Sequence, residues 1–78
     1  TPPPANALEL QEAMVARIRP IFAGQHPAVV GAALAELHAR HLKAAMQDAR
    51  RANLYGAASR IEVTLDQIYP DWPGLVAP

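Results

Sequence analysis

Apolar residues recur every three or four positions in the first third of the chain, the spacing of one face of an α-helix. Asn6 stands where an N-cap is expected, and Glu9 is placed to complete a capping box. Pro20 disfavours helical backbone at the residue before it, so the pattern predicts a helix over residues 7–19, and Gly24 closes the segment. The apolar positions of this face are Leu10, Met14, Ile18 and Ile21.

A second helical pattern follows Pro27, a residue that suits the first turn of a helix. Strong helix formers fill the chain from Ala28 to Asn53, and only Gly31 weakens the pattern. The predicted helix over residues 28–53 is about 39 Å long at roughly 1.5 Å per residue, which is long for so short a chain.

Apolar residues occupy more than half the circumference of this predicted helix, so we expect it to pack on more than one side. One sector should be covered by the chain's own short helices, and it consists of Val30, Leu34, Leu37, His41, Ala44, Ala45, Asp48 and Ala52. A second sector beside it should pair with another subunit, because its small residues let two helices approach closely. This second sector consists of Ala35, Ala39, Leu42, Met46 and Ala49.

The last apolar pattern predicts a third helix over residues 60–69. Its apolar positions are Ile61, Leu65 and Ile68, and Trp72 continues the same series beyond its end. The alternation through Val63 also fits a strand, but a lone strand would have no partner in this chain. Gly56 is placed to end the preceding helix in a left-handed conformation, and Ser59 with Glu62 forms a candidate capping box.

The resulting fold class is all-α: a small three-helix domain with a long central helix, assembling as a helical dimer. Residues 1–6 form a proline-rich lead that we expect to be flexible, and residues 7–69 form a single helical domain. Residues 70–78 form an extended tail. Tyr69 and Trp72 are the aromatic anchors at its start, suited to a partner surface or to the core.

The composition favours assembly with a second chain. The 78 residues are 51% hydrophobic with a net charge of zero, but much of that apolar content is alanine, which buries little surface. A domain of this size is marginally stable alone, and no cysteine is present to form a disulfide.

Two compositional features bear on location and source. The lack of cysteine fits a reducing compartment, and no apolar run approaches the roughly 20 residues of a membrane span, so we expect a cytoplasmic protein without membrane contact. The predominance of arginine over lysine, with abundant alanine and proline, suggests bacterial or phage coding bias.

His38 and His41 are weak candidates for metal ligands. Two imidazoles three residues apart can chelate a metal, but zinc sites need three or four ligands, and the chain has no HExxH motif and no cysteine. A metal-binding helical bundle built from both histidines is therefore only an alternative function, and we predict no metal or other cofactor. His41 with Asp48 could suggest acid–base chemistry, but no nucleophile stands at an obvious spacing.

A basic ridge on the central helix could meet phosphates or an acidic partner. It consists of Arg40, Lys43, Arg50 and Arg51. Glu36 lies four residues before Arg40 and weakens the ridge, and the balanced net charge argues against a dedicated nucleic-acid binder. A small nucleic-acid-associated accessory protein is a second alternative.

No catalytic signature, phosphate-binding loop or small-molecule site is recognisable in the sequence. By elimination we predict a non-catalytic helical interaction or structural protein that acts through protein–protein contacts and oligomerisation. The residues expected to bind the partner are those of the second sector together with Tyr69 and Trp72.

Overall fold

A computed structural model describes residues 3–76 of the chain, and the all-α prediction is confirmed. Within that range the chain forms helices and no strand. The first two residues of the proline-rich lead and the last two of the tail lie outside the described residues. The elements are α1 (Ala7–Ile18), a 3₁₀ turn (Arg19–Phe22), α2 (Pro27–Arg51), α3 (Tyr55–Ile68) and α4 (Trp72–Leu75).

The chain divides into two compact units, Thr1–Val30 and Gly31–Pro78, where the sequence predicts one helical domain. The boundary falls near the start of α2. None of the helices found between residues 3 and 76 combines the length and apolarity needed to cross a lipid bilayer.

In the first unit, α1 is followed directly by the 3₁₀ turn. Gly24 has a φ of 79°, the left-handed conformation expected of a glycine that closes a helical segment. The predicted capping box at the start of α1 is wrong, because the Asn6 side chain makes no capping hydrogen bond. The backbone of Asn6, at φ −102° and ψ 26°, lies outside the extended region typical of an N-cap.

The connection between α2 and α3 differs from the prediction. Asn53, with φ 61°, takes the left-handed conformation predicted for Gly56, and asparagine tolerates it better than most residues. The amide of Leu54 donates to the carbonyl of Ala49, which satisfies an end carbonyl of α2. Helix α3 therefore begins before residue 60, and Ser59 lies inside it instead of capping it.

The predicted extended tail is also wrong over the described residues, because α4 lies within it. Pro73 falls in the first turn of this short helix, where its missing N–H costs no hydrogen bond. The amide of Val76 donates to the carbonyl of Trp72, and the Val76 side chain is buried. The tail thus returns to the body of the second unit.

The second unit has its own hydrophobic core, built by α2, α3 and the tail. The connection of residues 52–54 is so short that α2 and α3 are antiparallel neighbours. Ala39, Leu65 and Val76 are buried together at the centre of this core. The partly buried side chains that pack against them are Leu42, Ile61, Tyr69 and Trp72.

Replacing Leu65 by alanine should destabilise the second unit strongly. Leu65 is fully buried, so Leu65→Ala removes apolar contacts and leaves a cavity, at a cost of about 2–5 kcal/mol in the free energy of unfolding. Urea denaturation at a fixed protein concentration measures the loss. Val63→Ala is the matched control, because Val63 lies in the same helix and is 52% exposed. Equal losses in the two variants would contradict the described core.

Candidate interaction surface

The sector of α2 that the sequence assigns to a partner lies against the chain's own core. Ala39 and Met46 are buried, and the other members of the sector are partly buried. Tyr69 and Trp72 also pack against the core cluster. The prediction that a second subunit covers Ala39 and Met46 is therefore wrong, because the chain itself buries both residues.

The core explains why this sector faces inward. Ala39 is buried together with Leu65 of α3 and Val76 of the tail, and Leu42 packs against this cluster. The short connection places α3 beside α2, so this sector is covered by the chain's own core. The sequence carries no signal that distinguishes this sector from the one beside it, because both are apolar along the helix.

Polar contacts hold the start of the tail against α2 and α3, at the end of α3 that lies away from the connection of residues 52–54. The Tyr69 hydroxyl and Nδ1 of His38 are hydrogen-bonded at 2.7 Å, and the two rings meet edge to face with centroids 5.4 Å apart. The indole Nε1 of Trp72 donates to Asp66 at 2.8 Å. These contacts give the two aromatic residues a structural role within the second unit.

Part of the sector that the chain itself was expected to cover is instead exposed. Leu34 and Leu37 are 44% and 59% exposed, and His41 and Ala44 are exposed as well. We call these four residues the α2 stripe. Within the second unit, α3 and the tail leave these four residues uncovered, because they occupy the other sector.

A second apolar surface lies on α1. No residue of this helix is buried. We call this surface the α1 face, and its apolar spacing matches the sequence prediction for the first helix. Its exposed large apolar side chains are Leu8, Leu10, Met14, Val15 and Ile18.

The arginines of the basic ridge are paired within the chain. Two pairs lie along α2 itself, joining Arg40 to Glu36 and Arg51 to Asp48. The third arginine of the ridge, Arg50, forms an ion pair with Glu62 of α3, with 2.8 Å between its guanidinium nitrogen and the carboxylate oxygen. Each arginine therefore shares its charge with a carboxylate, which reduces the positive potential available to a phosphate backbone.

Lys43, the remaining cation of the ridge, points toward the tail. Its Nζ donates to the carbonyl of Val76 at 3.5 Å, and the contact is partly buried. This lysine therefore helps to hold the end of the tail beside α2.

The histidines are not brought together with further metal ligands. His38 is engaged with Tyr69, and His41 lies exposed in the α2 stripe. Among the described residues, no group of three or more histidine and acidic side chains could hold a metal ion. Asp48, the carboxylate considered for acid–base chemistry with His41, is bonded to Arg51.

No family model matches the chain, and neither a curated protein nor a solved structure matches it. The two exposed apolar surfaces, the α2 stripe and the α1 face, are the features of the described residues that bear most directly on function.

Removing the Tyr69 hydroxyl should weaken the second unit by a measurable amount. Tyr69→Phe keeps the ring but breaks the hydrogen bond to His38, so the free energy of unfolding should fall by about 0.5–1 kcal/mol. Urea denaturation followed by the fluorescence of Trp72 reports this change. Tyr55→Phe is the control, because the Tyr55 hydroxyl bonds only Asn53, two residues away. A larger loss in the control would refute the role given to Tyr69.

Proposed function

We propose that this chain is a non-catalytic helical interaction protein that acts by binding other protein chains and by assembling with itself. The observation that carries the proposal is the amount of large apolar surface left uncovered. Exposed large apolar side chains occur on α1, α2 and α3. The buried apolar residues, in contrast, are few and mostly small: Ala39, Met46, Ala58, Leu65 and Val76.

The first unit supports an interaction role independently. Among residues 3–30 no side chain is buried. A helix of 12 residues such as α1 is marginal in water without tertiary packing. An apolar surface supplied by another protein would give the α1 face that packing.

The alternatives have less support. A nucleic-acid role would rely on the basic ridge, whose arginines are paired with carboxylates. A metal-binding role would rely on His38 and His41, and His38 is hydrogen-bonded to Tyr69. Neither alternative accounts for the exposed apolar side chains of α1 and α2.

The full chain should be a dimer or larger assembly at micromolar concentration. Sedimentation equilibrium should give a mass of at least about 17 kDa, twice the 8.4 kDa of one chain, because covering the apolar surfaces is favourable. A mass of one chain across the micromolar range would contradict self-assembly.

A further inference from the structure

We propose that His26 is a pH-sensitive N-cap, which stabilises the first turn of α2 only while its imidazole ring is neutral. The inference goes beyond the proposed function and does not depend on it. It concerns the residue that directly precedes α2 and the turn that this residue caps.

His26 alone accepts the hydrogen bonds of the first amides of α2. The amide of Ala28 donates to Nδ1 of the His26 ring at 3.0 Å. The amides of Val29 and Val30 donate to the His26 carbonyl at 3.0 and 3.1 Å. Pro27 has no N–H, so the ring and the carbonyl of His26 together satisfy every amide of this turn.

The bond from Ala28 is a side-chain N-cap, and the other α-helices of the described residues lack one. An N-cap side chain accepts a bond from the amide two or three positions after it, and Ala28 is two residues after His26. The residues at the N-cap positions of α1, α3 and α4 form no such bond. The cap of α2 is thus provided by a histidine, the residue type whose charge changes between about pH 5 and 8.

The hydrogen bond to Ala28 requires a neutral ring. A backbone amide only donates, so Nδ1 of His26 must present a lone pair, which it has only when it carries no proton. A protonated imidazole donates from both nitrogens and cannot accept this bond. Its positive charge would also lie at the end of the helix where the dipole favours negative charge. Both effects weaken the capped turn as the pH falls through the range in which the ring titrates, and both vanish above that range.

The other two histidines do not share this dependence. Nδ1 of His38 is bonded to the Tyr69 hydroxyl, which can either donate or accept, so that contact can persist when the ring is protonated. His41 lies well inside α2, away from the helix ends where the dipole acts most strongly. Acidification should therefore act on α2 at its first turn.

No ion pair joins the exposed His26 ring to another side chain of the described residues. The first turn of α2 has no acidic residue. The charged side chains elsewhere between residues 3 and 30 lie on α1 and the 3₁₀ turn, and they are Glu9, Glu12, Arg17 and Arg19. The bond from Ala28 is therefore the contact that protonation of His26 breaks.

Little else stabilises this turn. Val29 is 61% exposed, and no residue from Pro27 to Val30 is buried. Gly31, the next residue, is a weak helix former, and the boundary between the two compact units falls directly before it. Loss of the cap should therefore unwind the turn as far as Gly31, so that the chain at this boundary is helical at neutral pH and frayed in acid.

NMR of the full chain tests the proposal. From about pH 7.5 to about pH 5, the ¹³Cα shifts of Val29 and Val30 should move from helical toward unfolded values, in step with the His26 ring resonances. The ratio of helical to unwound first turn should fall about fivefold, a typical effect of losing an N-cap side chain.

His26→Asn is the matched variant, because asparagine caps a helix and does not titrate in this range. Its first turn should stay helical at both pH values. His38→Gln is the control for titration elsewhere in the chain, and it should keep the pH dependence of the wild type. The proposal is overturned if the wild-type shifts do not change with pH, if the change persists in His26→Asn, or if it disappears in His38→Gln.

Discussion

The packing of α3 on the alanine-containing sector of α2 determines most of what the second unit exposes. Ala39, Leu65 and Val76 are buried together, and the aromatic residues of the tail close around them. One short helix can cover only one side of α2. Because α2 carries apolar residues on more than one side, the packing of this sector leaves Leu34 and Leu37 exposed.

The first unit likewise leaves apolar side chains uncovered. Its helix is regular and its 3₁₀ turn follows directly, but no residue of α1 is buried. Local sequence thus specifies a helix whose apolar face has nothing in the described part of its unit to bury it. A partner that covered the α1 face would supply the tertiary packing on which helices of this length depend.

Periodicity and breakers in the sequence predicted α1 and α2 well, because both act locally, but they placed the start of α3 five residues late and missed α4. The apolar residues from Leu10 to Ile18 recur at helical spacing, and the run between Pro27 and Asn53 contains no strong helix breaker. Both ends of α1 and of α2 therefore lie within two residues of the predicted bounds. The inward sector of α2 could not be predicted in this way. It depends on where the turn at Asn53 directs α3, and both sectors are apolar enough to be covered.

The proposed contact between chains would stabilise the fold, and the most direct measurement of that stabilisation is the concentration dependence of thermal unfolding. The stability of a protein that folds as an assembly includes the association equilibrium, so its melting temperature rises with protein concentration. We expect the midpoint measured by circular dichroism to increase steadily as the concentration is raised through the micromolar range. A midpoint that is independent of concentration would contradict the claim.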